Sequence, residues 1–247
     1  MGKVVLVTGA SSGIGEALCR ECVAKGWTVI GVARSADKLH ELQSELGSHM
    51  FHPQVCDVAN AQEVQSVSEG LIKSGLIPSL FFLNAGISGI PALEDRAHFD
   101  LEKHKAIMAV NYFGVLAWLP PWLNVCQEHG VATFMVTSSV NALYAPPTAS
   151  AYSASKAAIA RAFEGLSVTY ARTNLRFSVV YAGPVDTKGL SSIVPFTWKP
   201  EKMARYMIRC ALKGQTHCES HLFYALASRV MRHLPYTWAA AIMRRVR

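Results

Sequence analysis

The fold is predicted first of all by the stretch Thr8-Gly9-Ala10-Ser11-Ser12-Gly13-Ile14-Gly15. It follows a short β-branched run that is typical of a buried strand, and it opens a stretch with helical spacing. Three glycines at these positions allow a sharp turn and a close approach of backbone to a pyrophosphate, which the following helix would meet with its N–H groups. We therefore predict a dinucleotide site that includes Gly9, Ser11, Ser12, Gly13, Ile14 and Gly15.

Apolar runs alternate with helical patterns along most of the chain. Strands are predicted at 4–8, 28–33, 51–58, 80–84, 131–138 and 175–181, and helices at 14–25, 37–46, 61–73, 98–127, 151–173 and 200–212. We expect Pro120 and Pro121 to kink or end the long middle helix. Continuous apolar strands indicate a sheet that is covered on both faces. The pattern predicts one α/β domain of the doubly wound, Rossmann type, with a parallel sheet between two layers of helices.

The end of the second predicted strand bears on the choice of cofactor. A carboxylate at this place would bind both ribose hydroxyls of NAD and repel a 2′-phosphate. Here Ala33 stands in the acid's place and Arg34 follows it. A guanidinium binds a phosphate through two parallel hydrogen bonds, so we predict NADP(H) as the cofactor. The alternative is that Arg34 is a solvated surface charge.

Tyr152 and Lys156 form a Y-x-x-x-K pair in a predicted helix. Positions i and i+4 share one helix face, so the phenol and the ammonium can point into one site. Ser139 lies thirteen residues before Tyr152, at the carboxyl end of a predicted strand, where open α/β sheets bind ligands. We predict that Tyr152 exchanges a proton with a substrate oxygen, that Lys156 lowers the pKa of Tyr152, and that Ser139 hydrogen-bonds that oxygen. Ser138 is the alternative to Ser139.

These motifs resemble those of the short-chain dehydrogenases/reductases, whose nucleotide loop is T-G-x-x-x-G-x-G, and the resemblance extends to about residue 187. It implies that Asp57, with Val58 beside it, holds the adenine amino group, and that Asn84-Ala85-Gly86 closes the cofactor cleft. It also implies that Lys156 and Tyr152 contact the cofactor, and that Asn111 organises a water beside the lysine. Further cofactor contacts are implied for Gly183, Val185 and Thr187, in a loop where Ala182 replaces the family's usual proline.

Charge is distributed unevenly along the chain. Residues 1–198 contain 14 Lys/Arg and 15 Asp/Glu, whereas residues 199–247 contain 10 and 2. We therefore divide the chain into a catalytic domain, 1–221, and a basic amphipathic helical extension, 222–247, which Pro235 would break into two pieces. The extension either lies on an anionic membrane surface, covers the active site or packs on another subunit, or is a terminal helix with a solvated basic side.

Taken together, the sequence predicts an oxidoreductase that transfers a hydride between NADP(H) and a carbonyl/alcohol pair on a hydrophobic small molecule. The short segment 188–199, which is rich in apolar residues, suggests the hydrophobic substrate. We expect a homodimer or homotetramer in the cytoplasm, with peripheral membrane contact through the tail as an option, and neither a metal nor a nucleic acid as a ligand. A non-catalytic NADP(H) sensor or scaffold on the same fold is the alternative function.

Overall fold

The computed structural model describes residues 2–88, 99–146, 149–187 and 195–245. Within these ranges one sheet contains seven strands in the order β3-β2-β1-β4-β5-β6-β7, and every neighbouring pair is parallel. The strands are β1 (Val4–Thr8), β2 (Thr28–Ala33), β3 (Phe51–Val55), β4 (Leu80–Leu83), β5 (Ala132–Ser139), β6 (Leu175–Ala182) and β7 (His217–Glu219).

Ten α-helices belong to the described ranges. They are α1 (Gly13–Val23), α2 (Ala36–Leu46), α3 (Ala61–Lys73), α4 (Leu101–Met108), α5 (Gly114–Leu116), α6 (Leu119–His129), α7 (Ser150–Thr169), α8 (Pro200–Leu212), α9 (Leu222–His233) and α10 (Tyr236–Arg245). The tail is divided at Leu234 and Pro235, which confirms the predicted break.

Helices cover both faces of the sheet. Successive strand residues point to opposite faces, so Val5 and Val7 of β1 pack with α1, α2 and α8, whereas Leu6 packs on the other side with α3, α6 and α7. Both layers are closed by fully buried side chains, among them Leu18 on the first side and Trp122 and Phe163 on the second. The doubly wound Rossmann-type fold predicted from the sequence is confirmed.

The sheet is extended in opposite directions on the two sides of the β1–β4 pair. Crossovers from β1 build the sheet outward through β2 and β3, while those from β4 build it the other way. The loops after β1 and β4 therefore diverge and leave a crevice at the carboxyl ends of the strands, where open α/β sheets bind their ligands. The Gly9 loop follows β1 and Asn84 follows β4, so both predicted cofactor segments lie at this crevice.

The middle of the chain differs from the prediction of one helix over 98–127. α4 passes into a π-helical turn, Ala109–Phe113, then into the single turn α5, and α6 begins at Leu119. The helix is interrupted at Ala117 and Trp118, and Pro120 and Pro121 follow in the first turn of α6, which confirms the expected break near the prolines. The first helical turn has no partners for its N–H groups, so a residue without an N–H loses nothing there.

The stretch Leu101–His129, counted as one helix, is long and apolar enough to cross a membrane by length and composition, and it is the sole such stretch in the described residues. Trp118 and Trp122 within it are fully buried among the residues that pack on the sheet. A core helix of a soluble domain meets the same criteria, so this stretch is weak evidence for a membrane span.

Several strand boundaries differ from the predicted ones, and the sequence analysis predicted no strand at the position of β7. β3 ends at Val55, so Asp57 and Val58 lie in the following loop, and β5 extends to include Ser139. β7 contains three residues, His217–Glu219, two of which are charged or titratable and only one of which is fully buried. So short a polar strand has no apolar run to reveal it, and it forms because β6 offers an open edge.

Candidate active site

The glycine loop has the backbone that its sequence predicts. Gly9 and Gly13 have φ angles of 71° and 57°, in the left-handed region that favours glycine. A Cβ on Gly13 would lie 3.0 Å from Cγ2 of Thr187, so the loops that follow β1 and β6 approach each other here. Ser11, Ser12 and Thr187 line a cavity of about 380 Å³ at this place.

α1 begins at Gly13, directly under this loop. The side chain of Ser12, the residue before it, makes no capping hydrogen bond. The first N–H groups of a helix have no partner within the helix, and the helix dipole places partial positive charge there. The start of α1 therefore fits a phosphate group of a dinucleotide. Ile14 packs on the core and Gly15 is too close to the Gly9 carbonyl for any side chain, with a Cβ–O distance of 2.0 Å.

Thr8 and Asn84 connect the glycine loop to the segment after β4. The Thr8 hydroxyl accepts a hydrogen bond from the Ala85 N–H at 3.0 Å, and the Asn84 amide donates to the Thr8 carbonyl at 3.4 Å. The Thr137 hydroxyl donates to the Asn84 amide oxygen at 3.0 Å. These bonds hold Asn84 and Ala85 at the crevice. The sequence presented Thr8 only as the first residue of the glycine motif, and the hydrogen bonds of Thr8 and Thr137 were not predicted.

Arg34 and Asp57 lie close together at the outer end of the crevice. The guanidinium is 3.9 Å from the Asp57 carboxylate, and the Arg34 side chain is 70% exposed. Asp57 receives a hydrogen bond from the Ala59 N–H, and its own N–H donates to Glu63. Val58 is buried beneath Gly114, where a Cβ would be 2.8 Å from the Val58 carbonyl oxygen. An exposed and loosely paired Arg34 is compatible with a phosphate contact and with a solvated charge.

Ser139 and Tyr152 meet at the carboxyl end of β5. The Ser139 side chain lies close enough to the Tyr152 phenol to lower its pKa, and the Ser139 hydroxyl accepts a hydrogen bond from the Asn141 N–H at 3.2 Å. The hydroxyl of Ser138 points the other way, because it is buried and donates to the Lys156 carbonyl in α7 at 2.8 Å. The geometry therefore places Ser139, and not Ser138, beside the phenol.

Lys156 lies one turn after Tyr152 on the same side of α7. Its side chain is buried, with Nζ 5.8 Å from the centroid of the Tyr152 ring and 2.7 Å from the Thr137 carbonyl, to which it donates. Burial lowers the pKa of Lys156 to about 8. A Cβ on Gly86 would be 3.2 Å from this Nζ, so the absence of a side chain at Gly86 leaves the ammonium accessible from the crevice.

The pKa of Tyr152 does not follow the direction expected from Lys156. Burial raises the pKa of Tyr152, and the neighbouring Ser139 side chain lowers it by less. Lys156 donates to Thr137 rather than to the phenol, and its own charge is destabilised by burial, so the predicted lowering by the ammonium is not seen in this structure. Burial in apolar surroundings favours the neutral form of both side chains, the phenol of Tyr152 and the amine of Lys156.

Asn111 is fully buried in the π-helical turn. Its amide oxygen accepts from the Ile87 N–H at 2.8 Å, and its amide nitrogen donates to the Ile87 carbonyl at 2.9 Å and to the Ser155 hydroxyl at 3.0 Å. The side chain thus ties the loop after β4 to α7, next to Lys156. A π-helical turn inserts one residue into a helix and is frequent at functional sites, and here it turns Asn111 inward.

Two residues far along the chain support the loop after β6. The Gly183 N–H donates to the Ser220 hydroxyl at 3.1 Å, and Ser220 is hydrogen-bonded to Nδ1 of His221 at 2.6 Å. The buried imidazole lies against Gly183 and 4.3 Å, between ring centroids, from Trp198. The loop lacks the family's proline at Ala182 but is held from below by this pair, which the sequence did not reveal.

The structure describes Val185 and part of the apolar segment 188–199. Val185 is buried and pairs with Trp198 through an isolated parallel bridge. Of the apolar segment 188–199, Phe196 and Trp198 are described, while Ile193 and Val194 lie outside the described residues. Phe196 is exposed and its ring centroid is 5.6 Å from that of Phe223 in α9, which places the start of the tail next to this segment.

The chain was compared with known proteins. A family model described as short chain dehydrogenase matches residues 3–197. A curated relative from Anopheles gambiae, named Dehydrogenase/reductase SDR family protein 7-like, is 31% identical over 191 residues, which cover 75% of this chain and 60% of that relative. The chain therefore spans less than two thirds of the length of that relative.

Solved structures with the same fold contain both kinds of nicotinamide cofactor. The alcohol dehydrogenase from the archaeon Thermococcus sibiricus, complexed with 5-hydroxy-NADP, is 27% identical, with a TM-score of 0.76, and the match covers 89% of this chain and 94% of that one. A short chain dehydrogenase/reductase from Burkholderia phymatum in complex with NAD has a TM-score of 0.84 at 19% identity, covering 94% and 93%. The fold alone therefore does not select between NADP and NAD.

Proposed function

The chain belongs to the short-chain dehydrogenase family of oxidoreductases, and from that premise we propose that it interconverts a carbonyl and an alcohol on a hydrophobic small molecule with NADP(H), using Tyr152 as general acid and base. The observation that carries the proposal is the buried Lys156, whose Nζ is 5.8 Å from the centroid of the Tyr152 ring, with Ser139 next to the phenol, at the crevice between β1 and β4.

In this proposal, Tyr152 and Ser139 manage the charge on the substrate oxygen. Reduction of a carbonyl carbon leaves negative charge on its oxygen, which a neutral phenol can protonate. Burial keeps Tyr152 protonated, so it is ready to donate in the direction of reduction. Ser139 can turn its hydroxyl from Tyr152 to the same oxygen and stabilise the developing charge.

Lys156 and Asn111 support the proton transfer. The Lys156 ammonium lies near enough to the phenol to stabilise a phenolate once the proton has left. Its pKa of about 8 allows it to exchange protons near neutral pH. Asn111 holds the neighbouring backbone at Ile87 and α7 in register and lies close to the path between Lys156 and Gly86. We also propose that Asn111 organises a water beside Lys156.

The residues around the crevice fit a dinucleotide. The cofactor, when bound, supplies or accepts the hydride. The start of α1 and the Gly9 loop would hold its phosphates, with Ser11, Ser12 and Thr187 at the rim. Gly86 and Gly13 leave space that a Cβ would fill. Arg34, exposed and only loosely paired with Asp57, would bind a 2′-phosphate, which favours NADP(H), while Asp57 and Val58 would flank the adenine.

The proposal extends to the domain organisation, assembly and location of the chain. We assign residues 1–221 to the catalytic domain and 222–247 to a helical extension, and we expect a homodimer or homotetramer in the cytoplasm. The exposed Phe196 and half-buried Trp198 near the crevice favour an apolar substrate. Membrane contact would involve the extension.

The test is NADPH consumption against a panel of hydrophobic aldehydes and ketones, with the variant Tyr152→Phe. Removal of the one hydroxyl should abolish turnover while NADPH still binds, because the phenyl ring keeps the shape of the site. The matched control is Tyr170→Phe at the C-terminal end of the same helix, which should retain full activity. Turnover by Tyr152→Phe at the level of the control would refute the mechanism.

The same experiment addresses the alternative function. A sensor or scaffold on this fold would bind NADPH, as judged by the change in nucleotide fluorescence, and would consume none with any member of the panel. The complete set of Asn111, Ser139, Tyr152 and Lys156 at one crevice favours the enzyme, because a binding protein has no need of a proton donor.

A further inference from the structure

We propose that α9 and α10 bind the surface of an anionic lipid bilayer through the side that they leave exposed. Among the side chains of these helices that the structure describes, six large apolar ones are exposed: Leu222, Phe223, Leu226, Val230, Trp238 and Ile242. We call this set the apolar tail face. Scattered exposed apolar residues are ordinary on a soluble protein, but six on two consecutive helices form a patch that indicates a binding surface.

The spacing shows why the face stays exposed. Leu222, Leu226 and Val230 recur every four residues, so they lie along one side of α9. Ala225 and Ser228, on the other side, are buried against the domain. α9 is therefore anchored by its small residues and presents its large apolar residues outward, the reverse of what burial on the domain would require.

Charge identifies the occupant of this face. Residues 222–247 contain five arginines and neither Asp nor Glu. Apolar side chains interspersed with basic ones are typical of helices that lie in the interface of an anionic membrane, where lipid phosphates attract the cations. Arg229 is paired with Glu219 of β7. A second copy docked through the same face would bring together the other arginines of two segments that contain neither Asp nor Glu, which argues against a symmetric dimer at this surface.

The position of α9 relates the membrane to the active site. α9 packs against the turn Val140–Ala142, which directly follows Ser139. The Tyr224 hydroxyl donates to the Pro195 carbonyl at 2.7 Å, and Phe223 contacts Phe196. A bilayer bound to the apolar tail face would therefore lie beside the entrance to the crevice. An apolar substrate would then enter the crevice from the lipid. This consequence rests on the proposed function, whereas membrane binding itself does not.

Flotation of the purified full chain tests membrane binding. The chain is mixed with phosphatidylcholine vesicles that either contain or lack phosphatidylserine and is centrifuged through a density gradient. We expect flotation with the anionic vesicles, its loss at high salt, and much less flotation with phosphatidylcholine alone. A chain that stays at the bottom with anionic vesicles would overturn the proposal.

Variants locate the binding surface. The double variant L226E/V230E changes two exposed residues of α9, and V168E changes a residue of α7 that is more exposed than either and far from the tail in sequence. Flotation should be lost in L226E/V230E and retained in V168E, with thermal unfolding unchanged in both. Equal flotation of all three proteins would overturn the assignment. Failure of the wild type to float, together with conversion of an oligomer to a monomer by L226E/V230E, would assign the face to a second copy instead.

The outcome remains separate from that of the proposed function. NADPH consumption with a water-soluble carbonyl, measured without vesicles, should be the same in the wild type and in L226E/V230E, because neither residue contributes to the crevice. Absence of turnover by the wild type with every hydrophobic aldehyde and ketone of the panel would refute the proposed function and leave the flotation result standing.

Discussion

Replacement of Gly183 by alanine tests how the loop after β6 is held. A Cβ at this position would lie 2.4 Å from Cγ of His221 and 2.5 Å from its Nδ1. The φ angle of Gly183 is outside the left-handed region, so alanine meets no backbone strain there. The cost of the substitution therefore comes from the collision with the imidazole.

The size of the effect follows from how firmly the ring is held. Unbonded carbon atoms are most stable about 3.5–4.0 Å apart, so the ring and the loop must separate by about 1 Å. The imidazole cannot yield easily, because it is buried between Trp198 and the Ser220 hydroxyl. Overpacking of this kind costs about 1–3 kcal/mol. For a chain of this size, each kcal/mol lowers the melting temperature by about 2–4 °C.

Thermal and urea unfolding of Gly183→Ala, His221→Ala and the double variant form the assay. Each single variant should lose stability, the second because it leaves a cavity, whereas the double variant should be less destabilised than the sum because the new methyl group occupies part of that cavity. Gly165→Ala in α7 is the matched control: nothing lies within 4 Å of the added Cβ, and alanine should stabilise the helix by about 0.5–1 kcal/mol.

Additive losses in the double variant, or a Gly183→Ala protein as stable as the wild type, would refute the argument. Weaker NADPH binding in Gly183→Ala, measured by fluorescence titration, would further connect His221 and Ser220 with the cofactor loop. A loss of stability with unchanged NADPH affinity would limit their role to folding.

Two other predictions concern charged side chains. Arg34→Ser should weaken NADPH binding by about 10- to 150-fold and should change NADH binding little, because hydrogen bonds to a charged group contribute about 1.5–3 kcal/mol. The control is Arg172→Ser, which changes another exposed arginine. Equal effects of Arg34→Ser on both cofactors in fluorescence titration would contradict the phosphate role. Lys156→Met should abolish turnover yet raise the free energy of unfolding by up to about 3 kcal/mol at pH 7. The reason is that burial lowers the pKa of Lys156 from 10.5 to about 8, so the folded state destabilises a charge that the unfolded chain keeps. The gain should shrink as pH rises from 8 towards 10.5, and urea unfolding that shows the same gain at pH 7 and pH 10 would contradict it.

The sequence was sufficient for much of the site because parallel strands align their carboxyl ends. Gly9, Asn84, Ser139 and Gly183 each follow a recognisable apolar strand, and each lies at the crevice in the structure. The Tyr152–Lys156 pair was predictable because helical spacing of four residues brings two side chains to one face.

Other features needed the folded chain. The π-helical turn at Asn111 has no sequence period of its own, and the prolines of α6 act as a helix start only because the turn before them ends α5. The predicted lowering of the Tyr152 pKa by Lys156 is not seen, because Lys156 donates to Thr137 and burial, which depends on every layer around the crevice, raises that pKa.

The sequence by itself therefore determined the fold class, the family resemblance and the residues at the strand ends, since these follow from local spacing and from the geometry of parallel strands. Tertiary structure alone decided which groups touch across long sequence separations. It placed Ser220 and His221 under Gly183, turned Ser138 away from the crevice, and left one face of α9 uncovered. Such contacts depend on packing between whole elements, and no run of neighbouring residues encodes them.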